Sequence, residues 1–330
     1  TINDFGVADF FGLQTLTIGV FQYISIINDL PSAFSLSLII MIIMLLLYVF
    51  EQKMRGDKKF NNSSYENIQW SRYQLSKSKT ILVFFLSFLP IFFGFFIPLL
   101  FNFFIFIANY QIIDYSNFLS SLYNSIILGS FVGIFCVLIS IFINFYSRFS
   151  RNKKFLYYKK IINLGYALPG VVIALGVLIF IKYVNHFLQF TILATLIGLI
   201  LALIIRLISI SNNSIDSGLD KIGKSIDDAS RLMGRRSSTT YFRIIIPQIR
   251  LSVLAGFLLV FVDTIKELPI TLLLRPFDFN TLATSLYEYS SNEMFENGSL
   301  HALTIILFLS LVIYFFDSVV ERKQNSRIQK

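Results

Sequence analysis

The chain has 330 residues, 55% of them hydrophobic and 14% charged, with a net charge of +9 and a mean hydropathy of +0.70. A soluble domain of this length needs more polar surface than that to cover its core. The single cysteine, Cys136, excludes a disulfide framework or a cysteine-rich metal site, and its apolar surroundings read as those of a small buried hydrophobe.

Residues 1–34 contain no Lys or Arg and show no basic region followed by a short apolar run, so no signal peptide is expected there. Seven apolar blocks follow, near residues 33–50, 81–108, 122–146, 164–181, 190–210, 252–274 and 302–316. Each is read as a membrane-crossing helix, which needs about 20 apolar residues. Of the 28 Lys and Arg residues, 25 fall in alternate segments, namely 51–79, 147–161, 206–250 and the tail from Arg322. The remaining three are Lys182, Lys266 and Arg275. Basic loops face the cytoplasm. The alternation therefore predicts an external N-terminal segment, a cytoplasmic 51–79 stretch and a cytoplasmic C-terminus. It also accounts for the basic charge without nucleic acid.

An odd number of spans starting outside is unusual, and an internal comparison explains it. The stretch QTLTIGVFQYIS, residues 14–25, resembles NTLATSLYEYSS, residues 280–291, at a constant offset. Thr15, Leu16, Tyr23 and Ser25 match Thr281, Leu282, Tyr289 and Ser291, and each stretch precedes a span and then a charged segment. Many transporters are built from such repeats. The expected division is the end of a first repeat over 1–50, a cytoplasmic linker over 51–79 and a second repeat of six spans over 80–330. The chain would then be the C-terminal part of something longer.

The longest internal loop, about 211–250, contains DDASRLMGRRSSTTYFRIIIP, residues 228–247 preceded by Asp227. Acids at the start of a helix suit its dipole. Gly234 permits a turn that a Cβ would oppose, and a second short helix over 238–245 is expected to stop before Pro247. Such a helix–turn–helix can dock in a groove of a partner. The spacing of Asp228, Ala229, Ser230, Gly234, Ile244, Ile246 and Pro247 resembles the EAA loop of ABC-importer permeases. Asp228 stands where that family usually has Glu, Ser230 where it has Ala, and Ile246 where it has Leu. The resemblance implies docking on a cytoplasmic ATPase. The plainer alternative is a basic loop holding a helix at the membrane surface.

Gly218–Ser225 also fits the phosphate-loop pattern G-x4-G-K-S. That pattern requires a strand before it and a helix after it in a nucleotide-binding domain. Forty residues between two spans leave no room for one, so this chain is not expected to hydrolyse ATP or bind a cofactor itself; the permease resemblance implies ATP on a partner subunit.

The sixth block carries Asp263, Lys266 and Glu267, followed by Pro269. Ionisable residues at that depth mark a functional interior by default. The 3- and 4-residue spacings put them on one helical face, with Lys266 neutralising one carboxylate and about one negative charge left over. Pro269 is expected to break the helix. The group reads either as a gate lining a path or as an interhelical salt bridge that holds the bundle.

The wider stretch over 263–293 is similar to ferric-iron ABC permeases with two fused halves, and GYALPGVVIALG, residues 165–176, is similar to their motif in a span of the second half. Residues 1–50 resemble the end of the first half. This resemblance implies an all-α membrane protein of about seven transmembrane helices with the type I ABC importer permease (MetI-like) fold. It further implies location in a bacterial inner membrane, an ATP-binding cassette ATPase dimer and a periplasmic solute-binding protein as partners, and import of ferric iron by alternating access. Thiamine and polyamine permeases share the loop motif. An ion-coupled secondary transporter using Asp263 and Glu267 would explain the buried carboxylates but not the loop, and a membrane scaffold or receptor would explain neither. His186 and His301 fall in predicted external positions without ligand-spaced neighbours and read as interfacial. Tyr166, Tyr287 and Tyr289 suit an interface. No metal ligand is assigned.

Overall fold

The computed structural model describes residues 5–55, 75–150, 159, 161–188, 196–223 and 225–328. Most of the linker, residues 56–74, therefore lies outside the described residues, as do Lys224, residues 190–195 of the fifth apolar block and most basic residues of 151–160. The described elements are all helical. Six helices are long and apolar enough to cross a membrane, and a bent pair makes a seventh.

Two short helices, α1 (Gly6–Phe10) and α2 (Leu16–Ser25), precede α3 (Leu30–Arg55). Next come α4 (Lys77–Asn109), α5 (Tyr115–Phe149), α6 (Gly170–Leu188) and α7 (Leu196–Asp220). The loop helix α8 (Ser225–Leu232) leads into α9 (Ser237–Gln248), which bends by 74° into α10 (Arg250–Ile265). The chain closes with α11 (Pro269–Leu274), α12 (Leu282–Ser291) and α13 (Phe295–Ile328).

The resemblance between 14–25 and 280–291 has a structural counterpart. Thr15 and Thr281 cap α2 and α12 with the same backbone, φ −105°, ψ 159° and φ −108°, ψ 166°. Each hydroxyl accepts from the N–H three residues on, which satisfies one of the orphan donors of a helix start. Each helix is followed by a tight turn through a positive-φ residue, Asn28 or Glu293, into the long helix α3 or α13.

The central core joins α5, α6, α7, α10 and α11 through Val132, Cys136, Ala174, Leu199, Leu203, Leu207, Val260 and Ile270. Lipid tails are as apolar as leucine, so close approach rather than the hydrophobic effect holds membrane helices together. Gly129 and Gly133 of α5 provide it. A Cβ on either would fall 3.0 or 2.9 Å from the ring of Phe261 or Phe257 of α10. A second core packs α1–α3 on α6 through Phe5, Ile18, Val20, Ile40, Val171 and Leu175. Tyr287 of α12 reinforces it by donating to Asp9 Oδ2 at 2.5 Å. The first part of α4 is largely exposed on the outside of the bundle, while its second part, Ile97–Asn109, packs against α13.

Three expectations need correction. The fourth block does not start as a helix: Gly165–Ala167 forms a 3-10 turn, Pro169 follows, and α6 begins at Gly170. Arg206 is not a loop residue, because α7 runs on to Asp220 and carries Arg206 buried at mid-helix. As expected from Pro269, the sixth block is broken, at Lys266–Leu268, into α10 and α11. The helix after Gly234 does not stop before Pro247 but continues to Gln248. Residues 241–245 widen into a π turn immediately before Ile246-Pro247. The same occurs at 92–96 before Ile97-Pro98. A proline ring clashes with the carbonyl four residues back, and the wider turn accommodates the ring without ending the helix.

Candidate functional site

The loop after α7 is a built structure. The acids Asp227 and Asp228 occupy the first turn of α8. Its other end is closed by Gly234 at φ +72°. Gly234 N–H donates to Arg231 O at 2.9 Å and Arg235 N–H to Ser230 O at 3.0 Å, the paired bonds of a Schellman turn. Ser230 and Thr240 join α8 to α9 through a buried hydroxyl–hydroxyl bond of 2.6 Å. That bond explains a Ser where Ala was expected. Asp228, Ala229 and Pro247 face outward, and Ile244 and Ile246 are half-buried. At the tip, Leu232 is 90% exposed and Met233 70% exposed, forming an apolar knob.

The residues that fix this loop to the bundle are ones the sequence reading passed over. Asp227, not Asp228, is buried, and it pairs with Arg148 at the end of α5 at 2.8 Å. Arg148 also donates to the carbonyls of Leu219, Ile222 and Gly223 at 3.3, 3.3 and 3.4 Å. It thereby serves the orphan acceptors at the end of α7. Tyr241 and Ile245 are fully buried, in a cluster with Ile215, Leu219, Phe145 and Phe149. Gly218 of the phosphate-loop pattern lies inside α7, where a Cβ would meet Ser252 Oγ at 2.6 Å. Its small size is thus explained by helix packing.

The charges of the sixth block do not act as one group. Lys266 pairs with Asp263 at 2.7 Å, with the lysine side chain 57% exposed. Glu267 turns away and pairs with Arg206 of α7 at 2.9 Å, both side chains being about nine-tenths buried. The four charges therefore cancel, and the surplus negative charge expected from the sequence is absent from this group. Gly170 at the start of α6 completes the contact, since a Cβ there would fall 2.0 Å from Arg206 Nη1 and 2.8 Å from Glu267 Oε1. Gly165 makes room for the same stretch of α7, its Cβ position lying 2.2 Å from Ile205 O. Both glycines of GYALPG thus wrap around residues 205–206. Pro269 is buried directly below the break as the first residue of α11.

A cavity of about 1450 Å³ runs from the loop toward this point. Its polar lining includes Tyr166, Asn213, Ser217, Lys221, Ser252 and Asp263, and α3 contributes Tyr48 and Glu51. Asn213 and Ser217 are four apart on α7 and so share one face. Arg206 and Glu267 do not line it, so the buried pair lies behind the wall while Asp263 is part of it.

The histidines divide. His186 is exposed near the end of α6, whereas His301 is fully buried between Phe118 and Tyr289. Tyr289 accepts from Asn117 at 2.7 Å. Burial, followed by the Asp9 contact, pushes the Tyr287 phenol up to about 12.

The model of the family described as "binding-protein-dependent transport system inner membrane component" matches residues 136–326. The chain belongs to that family. As a member it is a multi-pass inner-membrane component of a transport system, and the match takes in the Gly234 loop, the Arg206–Glu267 pair and the helices from α6 onward. The chain is 26% identical over 316 residues to the Fe(3+)-transport system permease protein FbpB 2 of Haemophilus influenzae, covering 94% of this chain and 62% of that protein. It is 27% identical over 202 residues to the ferric transport system permease protein FbpB of Actinobacillus pleuropneumoniae, covering 58% of this chain and 29% of that protein. The chain therefore spans less than two thirds of the length of either relative.

Proposed function

We propose that this chain is the membrane core of an ATP-driven importer of ferric iron, working with a cytoplasmic ATP-binding cassette ATPase dimer and a periplasmic solute-binding protein. The alignment over 94% of the chain with a protein named for Fe(3+) transport supports the substrate. The observation that carries the mechanism is the projecting loop, whose apolar tip Leu232–Met233 is presented to solvent on a rigid turn. An exposed apolar knob on a short helix is what a groove in a partner receives.

On this reading the loop and the C-terminus face the cytoplasm. Closure of the ATPases displaces the loop, including Asp228, Ala229, Ser230, Gly234, Ile244, Ile246 and Pro247, and the spans rearrange between inward- and outward-open forms. The polar cavity ending at Asp263 is the inward half of the path. Asp263, Lys266, Glu267 and Pro269 form the region where that path closes. ATP is held by the partner, and this chain supplies no cofactor. Residues 1–50 act as the end of one repeat, 51–79 as linker and 80–330 as the second repeat, a division supported by the matching caps at Thr15 and Thr281.

The test is co-purification from cells producing the full-length gene together with its neighbouring ATPase. Leu232→Asp places a charge on the knob and is expected to release the ATPase while leaving the permease folded. ATPase retention by Leu232→Asp together with Met233→Asp would refute docking at this tip. An ion-coupled secondary transporter, the rival reading, requires free carboxylates in the path, and both are paired here. It predicts uptake that persists without the ATPase. Thiamine or a polyamine in place of iron would keep ATPase dependence and fail only the iron measurement.

A further inference from the structure

The cytoplasmic-end loop and the opposite end of the molecule are tied to the same helix. α5 is a single uninterrupted helix of 35 residues with no proline, whereas α4 and the α9–α10 pair are each interrupted by a π turn. At one end α5 grips the loop. Arg148 holds Asp227 of α8 and three carbonyls after α7, and Tyr241 Oη donates to Ile141 O at 3.1 Å. The rings of Phe145 and Phe149 pack on Tyr241.

At the other end α5 grips α12. Ser125 Oγ accepts the buried N–H of Leu282 at 2.8 Å, one of the orphan donors at the start of α12. Asn124 Nδ2 donates to Asn280 O at 3.0 Å, and Asn117 Nδ2 donates to Tyr289 Oη at 2.7 Å. Between Ser125 and Arg148 the helix is about 35 Å long at 1.5 Å per residue. Its middle carries Gly129 and Gly133 against the Phe261 and Phe257 rings of α10. Directional polar bonds thus sit at both ends of a stiff rod, and close packing lies between.

We infer that α5 is the connecting rod of the permease, with Arg148 the positioning residue that joins it to the ATPase-docking loop and Ser125 the one that joins it to α12. Displacement of the loop is passed along α5 to the 280–291 segment at the external face. This rests on the importer reading above. It adds that the external response to ATP depends on two side chains that touch neither ATPase nor substrate. Packed elements with discrete arrangements are the physical carriers of such coupling.

Phe277, 96% exposed in the turn before α12, gives a reporter position. In the full-length permease with its ATPase, in membrane vesicles, Phe277→Cys is labelled with a membrane-impermeant maleimide with and without ATP plus vanadate. The unchanged complex is expected to show an ATP-dependent change in labelling rate. In Arg148→Ala and in Ser125→Ala that change should fall about fivefold or more, the scale of ordinary allosteric coupling, while the ATPase stays bound and hydrolyses ATP. Ser125→Ala leaves the docking loop untouched, so it decides the matter if Arg148→Ala fails to fold. An undiminished response in Ser125→Ala with bound ATPase overturns the connecting rod and leaves the importer reading standing. A lack of bound ATPase in the unchanged complex overturns the importer reading and the rod together.

Discussion

A methyl group on Gly170 would fall 2.0 Å from Arg206 Nη1, so this glycine is required by a neighbouring ion pair and not by its own backbone. Gly170→Ala is expected to push Arg206 off Glu267. Breaking a buried pair by losing one partner costs about 3–5 kcal/mol, whereas replacing both by apolar residues is often close to neutral. Arg206→Leu alone should therefore lower the denaturation midpoint in detergent markedly, and Arg206→Leu with Glu267→Leu should recover most of the loss. Gly234 differs, since its φ of +72° is a backbone requirement. Gly234→Val is expected to strain the loop by about 1–3 kcal/mol. Helix content by circular dichroism should stay unchanged while ATPase co-purification falls. The loop spacing and the break before Pro269 were legible because each depends on residues close in sequence. Arg206–Glu267 and Arg148–Asp227 were not, because their partners lie 61 and 79 residues apart and no periodicity joins them. Arg206 was hidden further by its place near the end of an apolar block, where it reads as the first loop residue.

At the scale of elements, helix boundaries follow proline and glycine chemistry more than hydropathy. The apolar block over 164–181 gave no sign that its first residues would form a 3-10 turn, yet the Leu168-Pro169-Gly170 sequence moves the helix start to Gly170. The π turns before Ile97-Pro98 and Ile246-Pro247 were equally hidden, since their cause is one clash relieved over five residues. The Thr15 and Thr281 caps were readable as matching sequence. Helix pairing was not, because it depends on which small residue meets which ring. Gly133→Val is expected to overpack α5 against Phe257 at a cost of about 1–3 kcal/mol. Thermal unfolding in detergent checks this, and Gly133→Val with Phe257→Ala should restore part of the lost stability.

For the whole molecule, the alternation of basic and neutral loops predicts the orientation, and the helices occupy six of the seven expected spans directly and the seventh as a bent pair. Inclusion of Arg206 in a loop did not disturb that alternation, because one intramembrane arginine among many loop residues leaves the bias intact. The orientation has its own test. A cysteine in place of Leu232 should react with an impermeant reagent only after the membrane is opened, and one in place of Phe277 should react in intact cells. On the importer proposal, that sidedness would make the cavity inward-facing and α12 external.

The most direct measurement is uptake of radiolabelled ferric iron into membrane vesicles holding the full-length permease, its ATPase and its binding protein, with and without ATP, for the unchanged protein and for Gly234→Val. Uptake that requires ATP and is abolished by the substitution is the predicted result. Iron uptake that proceeds without ATP, or that Gly234→Val leaves intact, would contradict a loop-coupled importer.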